Sequence, residues 1–320
     1  MFCQGKTRYV LRTRYVPLEL DMFALQTRYV TFGNMVKEEK MRKYIDLHTH
    51  STCSDGSFTP KELIRYADEI GLYAIALTDH DNTDGLSEAE NEAKGRDIIF
   101  IPGIELSCDY ESELHIVGLN IDYKCEAMVK ATDKFKEDRK IRNINTIKRL
   151  NAAGVDITLE EAFKYCPGDA LGRAHIAKVM VDKGYCSTVK EAFKKYLGKG
   201  KPGYSNELRI SSYEAIDLIK RAGGISILAH CHYLGLEGED FYNFVSDLKN
   251  HGLDGLEGYY TEYTDEQSDF FIKTAESLGL KISGGTDFHG AMKPTISLGT
   301  GFGNLKIPEE ILSKLQMNNN

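Results

Sequence analysis

No apolar run in the 320-residue sequence approaches the length of a membrane span, so no transmembrane helix is expected. No signal peptide is expected either: the apolar residues near the N-terminus are broken by arginines, and no small-residue cleavage site follows. The seven cysteines are odd in number and scattered, with no Cys-x-x-Cys pair. That excludes a disulfide framework and points to reduced thiols in a cytoplasm. There is no surplus of positive charge either. A net charge of −8 excludes the whole molecule as a basic nucleic-acid binder. What remains is 42% hydrophobic and 28% charged, the composition of a globular protein with one large domain or two ordinary ones.

Residues 1–40 look foreign to the rest. The tetrapeptide Thr-Arg-Tyr-Val starts at Thr7, Thr13 and Thr27, at irregular spacing and with no steady strand or helix period. This stretch reads as a disordered or spurious leader, with Met35 and Met41 as alternative starts.

From Tyr44 onward the pattern alternates strand and helix. Tyr44, Ile45 and Leu47 form a short apolar strand. Thr59 caps a helix opened by Pro60, with Glu62 in its first turn and Gly71 at its end. Strands follow at 73–78, 97–101 and 114–121, with a helix over 86–94. After Pro202 the alternation resumes, with strands at 225–229, 253–259 and 281–284 separated by helices. Seven strands alternating with helices imply a mostly parallel α/β sheet.

Between these halves, residues 124–204 read as helices and loops. They hold 18 Lys and Arg against 10 Asp and Glu, a surplus of eight positive charges that leaves −16 on the remainder. Such asymmetry suggests a separate structural unit, a helical stretch inserted between the strand-and-helix stretches of residues 41–123 and 205–320. Arg173 and His175 stand out there, two apart near the start of the apolar helix Ile176–Val181, where amide groups favour anions.

One event recurs along the chain. A short apolar strand ends, and a His, Asp or Glu follows within a few residues. It happens at His48 and His50, at Asp79 and His80, near Glu105, at His230, and at Asp287 and His289. Asp55 lies in a Ser/Asp/Gly turn beyond the first pair, and His115 sits near the start of the fourth strand. Strand ends of a parallel barrel share one face, so these residues would converge. Imidazoles with carboxylates suit a divalent metal. Asp79, Asp81 and Glu257 are candidates to orient the ligand imidazoles. His251 follows a helix end and reads as structural.

The ordered motifs H-T-H-S-x-x-S-D-G, L-T-D-H-D, G-I-E, A-H and G-T-D-F-H resemble the PHP family, named for polymerase and histidinol phosphatase domains. That resemblance implies a distorted seven-stranded β/α barrel with three metal ions. His48, His50, Glu105 and Asp287 would hold one. Glu105 would bridge to a second, also held by His115 and His230. Asp55, His80 and His289 would hold the third. Mn²⁺ is the leading choice, with Fe²⁺ or Zn²⁺ as alternatives. The resemblance implies phosphoester hydrolysis by a metal-bound hydroxide, with no protein nucleophile.

An insertion carrying G-R-x-H-I-A resembles the branch acting on nucleoside 3′,5′-bisphosphates, with relatives that trim short RNA from its 5′ end. There the insertion caps the metal site and its arginine binds a substrate phosphate, which points to Arg173, with His175 assisting. This chain has Ala174 and Cys231-His232 where the family usually has proline. His232 is a candidate extra ligand or proton donor. The expected partner is a small phosphorylated nucleotide or oligonucleotide, with no membrane and no stable protein partner. The alternatives are a histidinol-phosphate phosphatase, a non-catalytic metal-binding module, and an amidohydrolase-like barrel. Thiol catalysis by Cys53 or Cys231 is disfavoured, since neither has a separate base and orienting group.

Overall fold

The computed structural model describes residues 44–166, 170–205 and 209–315, and the expected leader over residues 1–40 lies outside them. Seven strands form one sheet in chain order: β1 (Ile45–Asp46), β2 (Ala74–Leu77), β3 (Ile99–Ser107), β4 (His115–Leu119), β5 (Ile225–Leu228), β6 (Gly255–Tyr260) and β7 (Lys281–Gly285). The sheet curls round until its ends meet. Leu47 N–H donates to the Gly284 carbonyl at 3.1 Å, and His50 N–H to that of Phe288 at 2.9 Å. The expected seven-stranded barrel is therefore present and nearly closed.

Two details differ from the sequence reading. The third strand runs on to Ser107 and so contains Glu105. It changes partner midway: Ile99–Pro102 pair parallel with β2, and Gly103–Ser107 pair antiparallel with β4. Gly103 is needed at that switch, because a Cβ there would lie 2.8 Å from the Thr78 methyl and 2.9 Å from the Gly118 carbonyl. The second difference is direction. β4 runs antiparallel to both neighbours, so His115, at its beginning, joins the C-terminal ends of the parallel strands.

The helices form where local chemistry asks for them. Thr59 and Glu62 make a reciprocal capping box on α1 (Pro60–Ile70), and Gly71 ends it at φ 80°. Ser211 and Glu214 do the same for α7 (Ser212–Arg221). Strand alternation sorts side chains between two cores. Ile75 and Leu77 pack outward among Leu63, Ile64 and Ala67 of α1. Ala74 and Ala76 point into the barrel among Ile45, Val117 and Ile227, joined by Ile311 and Leu315 of the chain's last helical stretch.

Residues 124–204 contain helices and no strand among the described residues. The long α3 (Glu126–Ala152) is followed by α4 (Leu159–Phe163), α5 (Arg173–Asp182) and α6 (Val189–Ala192), which runs into a π-helical turn, Phe193–Leu197. This segment has its own core of Leu150, Ile157, Ile176, Met180 and Leu197. Met128, near the start of α3, instead packs in the outer barrel core. No described helix is long and apolar enough to cross a membrane.

Candidate metal centre

The nine expected ligands lie together at one rim of the barrel. Their donor atoms fall into overlapping groups within 4.8 Å: His50, Asp55, His80 and His289; His48, His50 and Asp287; His48, Glu105 and His230; His80, Glu105 and His115. Glu105 is the hub. One of its oxygens lies 2.7 Å from His115 Nδ1 and 2.9 Å from His230 Nε2. The other lies 2.9 Å from His80 Nδ1, 3.2 Å from His50 Nε2 and 3.3 Å from His48 Nε2. Five imidazoles thus crowd one carboxylate that is 1% exposed.

Backbone conformation is bent to reach this arrangement. The described non-glycine residues with positive φ are Asp81, Asn120, His230 and Asp287, and all but Asn120 lie at or beside the rim. Such conformations cost of order 1 kcal/mol or more each and persist where surrounding contacts enforce them. Gly285 permits another close approach, since a Cβ there would sit 2.1 Å from the His48 Cβ.

The supporting contacts fix ligand orientation. Glu257 accepts from the His230 N–H at 2.6 Å and lies 3.0 Å from His48 Nδ1, as expected of an orienting group. Asp79 accepts from the Ser51 N–H and the Ser54 hydroxyl, whose oxygen is 3.4 Å from His50 Nδ1. Its influence on that ligand is indirect. Asp81 turns away to the Ser107 N–H and to Arg139. Two contacts had no sequence signal: Tyr260 and Lys293 both donate to Asp287 Oδ2, at 2.9 and 2.5 Å, leaving Oδ1 to face His50.

The donor set fits divalent cations on the structure's own terms. His48 Nε2, His50 Nε2, Asp55 Oδ1, His80 Nδ1, Glu105 Oε2 and His230 Nδ1 are buried without a hydrogen-bond partner. Buried polar atoms are normally satisfied, so the first five of these orphans, which cluster around Glu105 and Asp55, call for a ligand, while His230 turns its other ring nitrogen, Nε2, toward Glu105. Burial opposes the charge on Glu105, but His80, His115 and His48 hold its carboxyl well below the usual range. Deprotonated carboxylates with imidazoles are what a metal requires.

The remaining predicted residues fall in different places. Arg173 opens α5, donates to the Leu197 carbonyl at 3.3 Å and lies over the Phe193 ring. His175 is fully buried. Its Nδ1 accepts from the Gly172 N–H at 3.0 Å and its Nε2 has no partner. His232 joins none of the metal-capable groups; it packs on Tyr233. Burial and nearby Asp79 push the Cys53 thiol up to about 12, and burial also raises Cys231, which argues against either as a nucleophile. His251 pairs with Asp217 at 3.2 Å, away from the rim.

Sequence reasoning missed Arg139, which reaches from α3 to donate to the His80 carbonyl at 2.9 Å and to Asp81 at 2.8 Å. It also missed Glu113, which completes a further group with His115 and His230. A barrel rim that gathers six histidines and three carboxylates from all parts of the sheet is a candidate metal site of the kind that metal-dependent hydrolases use.

Residues 46–289 match the PHP domain model, and the chain belongs to that family. It is 36% identical over 250 residues to a 5′-3′ exoribonuclease of Haemophilus influenzae, covering 78% of this chain and 91% of that protein. It is 34% identical over 247 residues to a 3′,5′-nucleoside bisphosphate phosphatase of Chromobacterium violaceum, covering 77% and 87%. Among solved structures, a Chromobacterium violaceum protein described as an amidohydrolase with bound sulfate superposes with a TM-score of 0.77 at 32% identity, covering 86% and 96%. The chain is a phosphoesterase of the PHP family.

Proposed function

We propose that the chain hydrolyses a phosphomonoester of a nucleotide, of the nucleoside 3′,5′-bisphosphate type, and also acts on short RNA or DNA 5′ ends. The observation that carries this is the Glu105 hub with its unsatisfied donors, in a chain whose relatives act on those two substrates. His48, His50, Glu105 and Asp287 would hold one cation, Glu105, His115 and His230 a second, and Asp55, His80 and His289 a third. Mn²⁺ is the proposed metal and the cytoplasm the proposed compartment. Bound cations would supply a water of lowered pKa and neutralise the charge on the phosphoryl oxygens.

This chain's own residues then do three things. Glu257, and Tyr260 and Lys293 acting on Asp287, keep the ligands in register. The helical segment, residues 124–204, acts as a cap whose Arg173 binds substrate phosphate, with His175 assisting. A guanidinium can grip phosphate through two parallel N–H donors. His232, whose buried Nδ1 has no partner, is assigned to assisting the leaving oxygen. The amidohydrolase alternative usually needs a carboxylated lysine as the bridging ligand, and in the reading proposed here Glu105 would take that role.

The test is phosphate release by Mn²⁺-loaded protein from adenosine 3′,5′-bisphosphate, a 5′-phosphorylated short RNA and histidinol phosphate. Release from the bisphosphate, abolished by chelation and by His50→Ala, is expected. Preference for histidinol phosphate, indifferent to Arg173→Ala, would move the substrate to that amino-alcohol phosphate. No release from any of the three would sink the substrate class.

A further inference from the structure

In the proposed centre the second cation has three protein ligands, Glu105, His115 and His230, and Glu105 is shared with its neighbours. Glu113 lies close enough to add a fourth. One of its carboxylate oxygens and a ring nitrogen each of His115 and His230 fall within 4.8 Å of one another.

The sequence explains that placement. Glu113 stands two residues before His115, where β4 begins. The Cys108 N–H donates to the Leu114 carbonyl at 3.0 Å, so the pairing of β3 with β4 continues past His115. Side chains two apart on such an extended chain share a face. Leu114 turns to the outer core, and Glu113 falls on the side of His115. The crowded rim around its carboxyl opposes the charge, yet His115, His230, Lys293 and Arg173 hold it below the usual carboxylate range. Burial separates it from its companions. His115 and His230 are buried, whereas Glu113 is exposed. Packing fixes the buried ligands, and an exposed side chain changes rotamer freely.

We propose that Glu113 is a fourth, exchangeable ligand of the second cation, one that yields its place to a phosphoryl oxygen of the substrate. Four protein ligands close a metal site, and three leave a position open for chemistry. A carboxylate that can withdraw converts the first state into the second. Arg173 and Lys293 draw any anion to this spot, so Glu113 and the substrate phosphate compete for it. The inference rests on the metal-centre reading and adds a ligand to those named above.

Two measurements on the full chain decide it. In the first, Co²⁺ is titrated into metal-free wild type, Glu113→Gln and Glu113→Asp, followed by visible absorption and chelator competition. One of the bound ions should lose at least about tenfold in affinity in both variants, the loss that even a residue orienting a ligand produces. The absorption band of Co²⁺ should also change shape, because a donor has gone. Glu113→Asp keeps the charge and lacks the reach. Wild-type binding in Glu113→Asp beside weakened binding in Glu113→Gln would reduce Glu113 to a nearby charge and overturn its ligation. In the second measurement, inorganic phosphate is titrated into the Co²⁺-loaded proteins. Phosphate should bind Glu113→Gln severalfold more tightly than wild type, since no carboxylate has to leave. Unchanged or weaker phosphate binding would overturn the exchange. Glu113 is exposed, so the metal-free variants should melt with the wild type. A wild type that binds Co²⁺, with both variants indistinguishable from it, would sink the inference alone. A wild type that binds no Co²⁺ would sink the metal centre as well.

Discussion

The barrel rim and the helical segment assemble charge in opposite ways. The rim collects acidic and imidazole donors from widely separated stretches, each delivered by a strand end and meeting only when the sheet closes. Among the segment's many cationic groups, Arg139 and Arg142 come from one helix and Arg173 from the start of another. Sheet topology assembles the rim, and helix periodicity aims Arg139 at it. The rim is therefore tolerant of local sequence but demands the whole barrel. The segment has a separate core, and its contribution hangs on the placement of a few long side chains.

The largest effect should come from the hub. Glu105→Gln is expected to lower turnover by about a thousandfold or more, because the proposed metal centre would lose the carboxylate at its middle. Metal analysis of the purified variant should show reduced loading; full loading with full activity would remove Glu105 from the centre. Next, Arg173→Ala should raise KM about 10- to 100-fold with metal content unchanged, as expected for a lost charge-assisted phosphate contact. A drop in metal content instead would make Arg173 part of the rim's architecture. Glu257→Gln should weaken metal affinity about 10- to 100-fold, read by chelator competition, since it orients His48 from behind.

Stability separates the two regions further. Leu150→Ala removes a fully buried side chain from the segment's core and should cost about 2–5 kcal/mol in chemical denaturation. Metal loading should survive it if the segment's core is independent of the rim. The smallest effect is expected for Glu126→Ala, which breaks an exposed pair with Lys130 at the start of α3. Such pairs contribute about 0.3–0.5 kcal/mol, so its melting curve should nearly overlay the wild type.

Much of the rim was legible because each candidate ligand is tied to a local signal. His48 and His50 follow an apolar strand, and Asp287 and His289 follow another, so short patterns carry the information. The direction of β4 was not legible. A strand of five residues reads the same in either sense, and only its antiparallel pairing with β3 and β5 settles it. The extent of β3 was hidden by Pro102 and Gly103, which look like a strand terminus and are instead the hinge between two partners. Arg142 was invisible for another reason. α3 buries Met128 against the barrel but Ile147 and Leu150 in the segment's own core. Its apolar stripe changes sides along the way, and no single period marks which arginines face inward. Lys293 and Tyr260 reach Asp287 only through folding and have no pattern at all.

The reversal of β4 also sets the reach of α3. Because that strand starts at the rim with His115, the chain leaves it at the opposite end of the barrel, where Leu119 pairs with Ile225 at the start of β5. The helix must then climb the outside of the barrel before Arg139 can touch His80. A helix turns about 100° and rises about 1.5 Å with every residue. The arginines are thus carried on the thread of a screw whose base is at Cys125. Deleting one residue between Glu126 and Arg139 would barely change their height, yet it would swing Arg139 and Arg142 away from the rim by more than a quarter turn. The length of that stretch, more than its composition, holds Arg139 in phase with the rim.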